Sequence, residues 1–153
     1  MTDLIFRPAT SDDLPPLVAM LADDALGQSR EKPELPLDAR YVAAFEALDR
    51  DPNQLLVVAE RDGAVVGTLQ LTFLVGLSRL GMWRGQIEAV RISGSERGSG
   101  LGRQMVEWAI AECRNRGCGL VQLTTDKSRA DAHRFYERLG FVASHEGMKL
   151  SLS

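Results

Sequence analysis

The sequence predicts an α/β protein of the mixed (α+β) kind, with a largely antiparallel central sheet. Three observations predict this fold class. Asp62-Gly63 separates two apolar segments, and this pair is typical of a tight β-hairpin turn. Residues 64–75 alternate apolar and polar side chains, which indicates a half-buried strand. A glycine-rich turn at 97–102 joins a strand to a helix, and this crossover predicts a parallel neighbour for that strand.

The predicted elements run along the whole chain in the order β-α-α-β-β-β-α-β-α-β-β. Residues 10–13, Thr-Ser-Asp-Asp, give a helix start with a hydroxyl cap and acids. The predicted helices are 11–23, 37–50, 100–116 and 131–139, and the predicted strands are 4–9, 55–59, 64–75, 86–92 and 120–125. A last hairpin, 141–144 with 148–152, is predicted around Glu146-Gly147. Because no repeat or linker interrupts the chain, residues 1–153 are predicted to form a single domain.

Composition and charge narrow the functional classes. The chain has 153 residues, of which 44% are hydrophobic, so it can build one sizeable core. Its net charge of −3 argues against a nucleic-acid partner, which would favour a basic excess. No apolar run reaches signal-peptide or membrane-span length, so a cytoplasmic protein without membrane contact is predicted. Cys113 and Cys118 lack zinc or disulfide spacing, and no metal site is predicted.

The stretch from Gln86 to Arg103 is the strongest functional signal. The strand Gln86–Ile92 leads to a glycine turn at a helix N-terminus, where unpaired amides and the helix dipole favour anions. We therefore predict that the turn binds the pyrophosphate of a cofactor. A dinucleotide fingerprint would need glycine at Arg103, and a Walker loop would need a Gly-Lys pair. Dinucleotide binding, with Asp126 on the ribose, stays open as an alternative, as does a glycine loop without ligand.

Two blocks of this sequence resemble the GNAT superfamily, the Gcn5-related N-acetyltransferases. Residues 97–102, Arg-Gly-Ser-Gly-Leu-Gly, match its [QR]-x-x-G-x-[GA] signature. Residues 131–141, DAHRFYERLGF, look like its A-x-x-F-Y-E-x-x-G-F segment. The order of elements is also similar to that of the family, which implies a V-shaped splay in the sheet and helices on both faces. One departure is Arg129, which stands where many members carry Asn.

The resemblance implies acetyl-CoA as co-substrate and no metal. The open edge of the strand at Val90, Arg91 and Ile92 would pair with the pantetheine arm, because an open edge offers unpaired N–H and C=O groups. The pyrophosphate would bind to a turn made of Arg97, Gly98, Ser99, Gly100, Leu101, Gly102 and Arg103. Arg129, and Lys127 before it, could reach the CoA phosphates by charge, or could be solvated cations at a helix start.

The implied reaction is direct attack of a primary amine on the thioester. Tyr136 matches the family's usual acid, and its phenol is protonated at neutral pH, so it would protonate the leaving thiolate. A backbone N–H near Val90 would stabilise the oxyanion. Glu88 is the candidate base, directly or through water, with an ordinary cross-strand ion pair as the alternative. Tyr136 could instead be a core aromatic residue, and His133 is expected on the surface.

The acceptor is not identified by the sequence and is expected to be a small-molecule or peptide amine. Loop 24–36, the second helix and the 76–85 turn should determine its identity. Acids such as Asp24 and Glu31 could steer a cationic amine, or could form a solvated rim. The resemblance also implies a homodimer, with the C-terminal strands as its interface. A non-catalytic CoA-binding sensor domain is the second functional hypothesis.

Overall fold

The computed structural model of the protein describes residues 3–153. Its strands are β1 Leu4–Pro8, β2 Gln54–Arg61, β3 Ala64–Val75, β4 Trp83–Ile92 and β5 Leu120–Leu123. Its main helices are α1 Leu14–Ala22, α2 Ala39–Arg50, α3 Leu101–Asn115 and α4 Ala130–Arg138. Short 3-10 turns occupy Ser11–Asp13, Gly27–Ser29 and Gly94–Glu96. A helical turn at Ser78–Gly81 contains left-handed residues.

One sheet organises these elements, with the strands in the order β1-β2-β3-β4-β5. Strands β1 to β4 form an antiparallel meander, and β5 runs parallel to β4. Asp62 and Gly63 both have positive φ, 53° and 80°, as a type I′ hairpin turn requires. The prediction of a mixed, largely antiparallel sheet is therefore confirmed.

Helices pack against both faces of the sheet, as the resemblance implied. On one face, α3 packs its buried side chains against β3 and β4. This face holds most of the core: Val57, Leu69, Leu71 and Ile87 from the strands and Leu101, Met105, Val106 and Ala109 from α3. The close packing depends on Gly67, where a Cβ would lie 2.6 Å from the sulfur of Met105. On the other face, Leu17 of α1 packs with Ala9 and Val58 in a smaller cluster.

The strand β4 leaves β5 halfway along its length. The last parallel pair is Ile87 with Leu123, so within the described residues no strand pairs with the second half of β4 on that side. At the same point, the β3–β4 register moves from Gln70↔Glu88 to Thr68↔Arg91, which indicates a bulge. Ala89 lies within this bulge and has a φ of 54°. The V-shaped splay implied by the resemblance therefore begins after Ile87.

The predicted C-terminal hairpin is wrong, because none of residues 141–153 is in a strand. The alternation of apolar and polar residues is present, but no strand in the described part of the chain pairs with this segment. Met148 and Leu152 are consequently 93% and 95% exposed. Smaller differences concern strand ends: β4 begins at Trp83, earlier than the predicted Gln86, and β5 ends at Leu123, before the predicted Thr125.

Candidate active site

The glycine turn forms the N-terminal end of α3. Gly98 and Gly100 have φ values of 78° and 86°, a region that favours glycine, and Gly100 is the N-cap of the helix. At Gly102, a Cβ would lie 2.8 Å from Cδ1 of Ile92, so glycine is needed where α3 meets β4. The amides of the first helical turn have no intrahelical acceptor and are aimed at the turn. This geometry can bind a phosphate group.

Charged side chains surround the turn without closing it. Arg97 and Ser99 are exposed, and Ser99 accepts a hydrogen bond from the Leu101 amide at 3.3 Å. Arg103 is also exposed and forms an ion pair with Glu107 at 2.7 Å, one helical turn further along. The predicted pyrophosphate residues, from Arg97 to Arg103, therefore lie together at one accessible helix end.

The free edge of β4 starts where β5 ends. The Ser93 amide donates to the Val66 carbonyl at 2.8 Å, and backbone groups alternate in direction along an antiparallel strand. It follows that the backbone groups of Arg91 also face β3, whereas those of Ile92 face the opening. The side chains of Val90 and Ile92 pack on the core. The Arg91 side chain lies on the other face, because side chains alternate along a strand, and there it contacts Asp24, which follows α1.

Tyr136 lies on α4 and is held by two aromatic rings. Phe135 and Phe141 contact it edge-on, with ring centroids at 5.0 and 5.7 Å. Burial raises the pKa of Tyr136, and the positive charges of Arg129 and Arg91 oppose that rise. The net pKa is above the ordinary value, so the phenol keeps its proton at neutral pH. Among residues 3–153, the Tyr136 hydroxyl has no hydrogen-bond partner that would occupy it.

Glu88 is exposed and lies at the end of a line of amide side chains. Nε2 of Gln122 donates to Oε1 of Gln86 at 2.9 Å, and Nε2 of Gln86 donates to Oε1 of Glu88 at 2.7 Å. Gln70 lies opposite Glu88 on β3, so the expected alternative of a cross-strand ion pair is not found there. Glu88 therefore lies in a polar row rather than among apolar side chains. The sequence did not indicate this row, because it depends on the β4–β5 register.

Arg91 is the most buried cation near the opening. Its side chain is only 14% exposed, and its Nε lies 3.0 Å from Oδ2 of Asp24. That contact lacks the geometry of a hydrogen bond, so among residues 3–153 the buried Nε has no hydrogen-bond partner. Nη1 donates to the Val90 carbonyl at 2.9 Å. Burial lowers the pKa of Arg91, and the charges of Arg129 and Arg30 lower it further, against the opposing effect of Asp24.

Loop 24–36 carries further charged side chains on the face of the sheet where Arg91 lies. Asp24 accepts a hydrogen bond from the Gly27 amide at 2.5 Å, and Glu31 accepts one from the Tyr41 hydroxyl at 2.8 Å. Burial raises the pKa of Asp24, but the Gly27 hydrogen bond and the charges of Arg91, Arg129 and Arg30 outweigh it, so the pKa is lowered. Asp24 is therefore ionised at neutral pH.

Three other residues are placed by the structure. His133, expected on the surface, is half-buried, and its Nε2 is buried without a hydrogen-bond partner. Burial raises the pKa of Cys113 to about 12, and burial likewise raises the pKa of Cys118, so both are thiols at neutral pH.

Within residues 3–153, no group of three or more His, Cys, Asp or Glu side chains could hold a metal ion, and no helix is long and apolar enough to cross a membrane.

Comparison with known proteins identifies the family. The sequence model of the acetyltransferase (GNAT) family matches residues 18–141. The chain belongs to the GNAT family. It is therefore an acetyltransferase, and the resemblance drawn from the glycine turn and the Phe135-Tyr136 segment is confirmed. GNAT acetyltransferases use acetyl-CoA.

Three relatives are informative. An aminoalkylphosphonate N-acetyltransferase of Salmonella typhimurium is 34% identical over 139 residues, which cover 91% of this chain and 85% of the relative. A glucosamine 6-phosphate N-acetyltransferase of Trypanosoma brucei brucei is 34% identical over 90 residues, 59% of each chain. The crystal structure of a transcriptional regulator from Bacillus halodurans C-125 is 51% identical, with a TM-score of 0.95, and covers 98% of this GNAT chain and 100% of its own.

Proposed function

We propose that the protein transfers the acetyl group of acetyl-CoA to a primary amine by direct attack. The observation that supports this most strongly is the opening between β4 and β5, which has the glycine turn at one side and Tyr136 near it. An extended pantetheine arm could pair with the exposed backbone of Ile92 while the pyrophosphate binds at residues 97–103. Val90, Arg91 and Ile92 thus border the arm, although only part of their backbone faces it.

The proposed chemistry has one nucleophilic attack and one bond cleavage. The neutral amine adds to the thioester carbonyl, and a backbone N–H at the bulge near Val90 donates to the developing oxyanion. The carbon–sulfur bond then breaks, and the Tyr136 hydroxyl gives its proton to the CoA thiolate. This role requires a phenol that is protonated before the thiolate forms, and Tyr136, whose pKa is raised by burial, is in that state at neutral pH.

Glu88 is proposed to accept the proton that the amine loses, directly or through water. Its exposure lets a solvent molecule reach it, and its hydrogen bond from Gln86 holds one carboxylate oxygen in place. The neighbours of Glu88 are the polar side chains of this row, not the apolar side chains that we expected. A base held in this way can still work through a water molecule at the mouth of the opening.

We propose a small-molecule amine that carries a phosphonate or phosphate group as the acceptor. Two relatives act on compounds of this kind by name, an aminoalkylphosphonate and glucosamine 6-phosphate. The charges near the opening fit such a molecule, because the cations Arg91 and Arg129 both lie close enough to act on Tyr136 and on Asp24. Planar guanidinium groups bind such oxyanions well, and Asp24 could hold the ammonium group of the incoming amine. Arg129 would support either this anion or a CoA phosphate.

The second candidate function is a CoA-binding sensor that does not catalyse acetyl transfer. It is favoured by one observation, the name transcriptional regulator of the 51% identical structure. Thiol release from acetyl-CoA separates the two functions. We expect release with an aminoalkylphosphonate and much less with the phosphonate-free alkylamine of equal length. Stabilisation by acetyl-CoA without release from any amine would favour the sensor instead. We also propose a cytoplasmic location and assembly as a homodimer.

A further inference from the structure

Glu96 places a negative charge directly before the glycine turn. It ends the 3-10 turn Gly94–Glu96, which connects β4 to residues 97–103. The Ser99 hydroxyl donates to Oε1 of Glu96 at 3.3 Å and accepts a hydrogen bond from the Leu101 amide, also at 3.3 Å. Two hydrogen bonds therefore connect this carboxylate to the first turn of α3. A helix N-terminus attracts any anion, so the carboxylate could compete there with a phosphate group.

Arg61 binds the same carboxylate oxygen from the side of the sheet. Its Nε and Nη2 donate to Oε1 of Glu96 at 3.3 and 3.1 Å. The two side chains are only 24% and 14% exposed, so salt and water screen their attraction weakly. Hydrogen bonds between charged groups are stronger than the single bond from the Ser99 hydroxyl. Arg61 therefore has the largest influence on where the carboxylate of Glu96 lies.

The sheet gives Arg61 a fixed position. Arg61 is the last residue of β2, which pairs with β1 on one side and with β3 on the other. The end of β4 is joined to the same hairpin, because the Ser93 amide donates to the Val66 carbonyl at 2.8 Å. The cation and the beginning of the glycine turn are thus held by the same paired strands.

We propose that Arg61 is a positioning residue for the pyrophosphate of CoA and that it acts through Glu96. It neutralises the carboxylate and holds it in place, which leaves the amides of residues 97–103 to the phosphate oxygens. This inference rests on the proposed function, because it requires the pyrophosphate to bind at those residues. Removing Arg61 alone would leave a carboxylate without its cation beside the phosphates, which is more harmful than removing both charges.

Calorimetric titration of the full chain with CoA tests this proposal. Arg61→Gln should weaken CoA binding about 10-fold or more, because Glu96 is then free to occupy the helix end. Glu96→Gln should bind CoA within about 3-fold of the wild type, since the amide oxygen can still accept from Ser99. The double variant Arg61→Gln/Glu96→Gln should recover most of the affinity that Arg61→Gln loses, because no carboxylate remains to compete.

Two controls separate this role from support of the fold. S-Acetylpantetheine keeps the thioester but lacks the pyrophosphate, so its kcat/KM in Arg61→Gln should stay within about 3-fold of the wild type. Arg7→Gln is the matched variant, because Arg7 is 29% exposed and forms an ion pair with Glu60, the neighbour of Arg61 on β2. Arg7→Gln should leave the affinity for CoA unchanged.

The outcomes that would overturn the proposal differ from one another. Equal losses of kcat/KM with acetyl-CoA and S-acetylpantetheine would show that Arg61 supports the fold as a whole. A loss of CoA affinity that Glu96→Gln does not relieve would rule out the action through Glu96. If Gly100→Ala weakens CoA binding and Arg61→Gln does not, the role of Arg61 alone fails. If neither variant weakens it, binding of the pyrophosphate at the turn fails as well.

Discussion

Gln86 donates a hydrogen bond from Nε2 to Oε1 of Glu88 at 2.7 Å. The amide of Gln86 is fixed in turn by Gln122 on the parallel strand β5, so the orientation of the candidate base depends on the pairing of β4 with β5. We predict that Glu88→Gln lowers kcat/KM about 100-fold, which is typical of a lost general base. Gln86→Leu should cost less, about 5-fold, because the carboxylate remains but is less well oriented.

The pH dependence of kcat/KM checks this role. If Glu88 accepts a proton, Glu88→Gln removes the acidic limb of the profile, whereas Gln86→Leu keeps it. Gln70→Leu is the control, since Gln70 lies opposite Glu88 and has no hydrogen bond to it. An unchanged profile in Glu88→Gln would show that the amine needs no base.

The glycine turn should be sensitive to a single added methyl group. Gly100 has a φ of 86°, where a Cβ costs about 1 kcal/mol in backbone strain, and it lies where the pyrophosphate is proposed to bind. We predict that Gly100→Ala raises the KM for acetyl-CoA about 10-fold. Gly63→Ala is the matched control, because Gly63 has a φ of 80° and equal free space in the β2–β3 hairpin, away from the turn. Equal effects of both variants on KM would contradict binding at the turn.

Arg91 should discriminate between acceptors. We predict that Arg91→Gln raises the KM for an aminoalkylphosphonate about 30-fold or more, as the loss of a charge-assisted contact would. The KM for the phosphonate-free alkylamine and for acetyl-CoA should change less than about 3-fold. The exposed Arg114→Gln, in the last turn of α3 and at the far end from the glycine turn, controls for loss of charge alone. If KM rises equally for both amines, Arg91 stabilises the fold through its contact with Asp24 and does not recognise the phosphonate group.

Acid stability should depend on Asp13. Arg7 donates to Asp13 over 2.7 Å and, with the Thr10 amide, lowers its pKa although burial opposes this. A carboxyl with a lowered folded-state pKa stabilises the fold above its unfolded pKa, and this stability is lost as pH falls through the folded value. Urea unfolding at pH 7 should show a loss of about 2 kcal/mol for Asp13→Asn. The difference should shrink below about pH 4, and the exposed Asp12→Asn should show little change at any pH.

The sequence predicted the elements whose determinants are local. The start of the helix at the glycine turn, the hairpin at Asp62-Gly63 and the position of Tyr136 beside Phe135 all depend on nearby residues. The helix predicted from residue 11 begins instead with a 3-10 turn, Ser11–Asp13, and becomes α-helical at Leu14. The sequence did not predict where the bulge in β4 lies, because nothing in the sequence marks Ala89 as a residue with a positive φ. The row from Gln122 to Glu88 depends on strand register, which the sequence does not state.

The C-terminal hairpin shows the opposite case. Its alternating residues satisfy the pattern of strands, but a pattern does not specify which strand they pair with. The pattern therefore places Met148 and Leu150 in the sheet, although both side chains are exposed in the structure.

The most direct test of the proposed mechanism is the rate of CoA release with Tyr136→Phe. The variant keeps the ring that packs between Phe135 and Phe141, so the fold and acetyl-CoA binding should be retained. The proposed proton transfer predicts that kcat with an aminoalkylphosphonate falls about 100-fold while the KM for acetyl-CoA stays within about 3-fold. A kcat equal to that of the wild type, with acetyl-CoA binding intact, would contradict the role of Tyr136 as the acid.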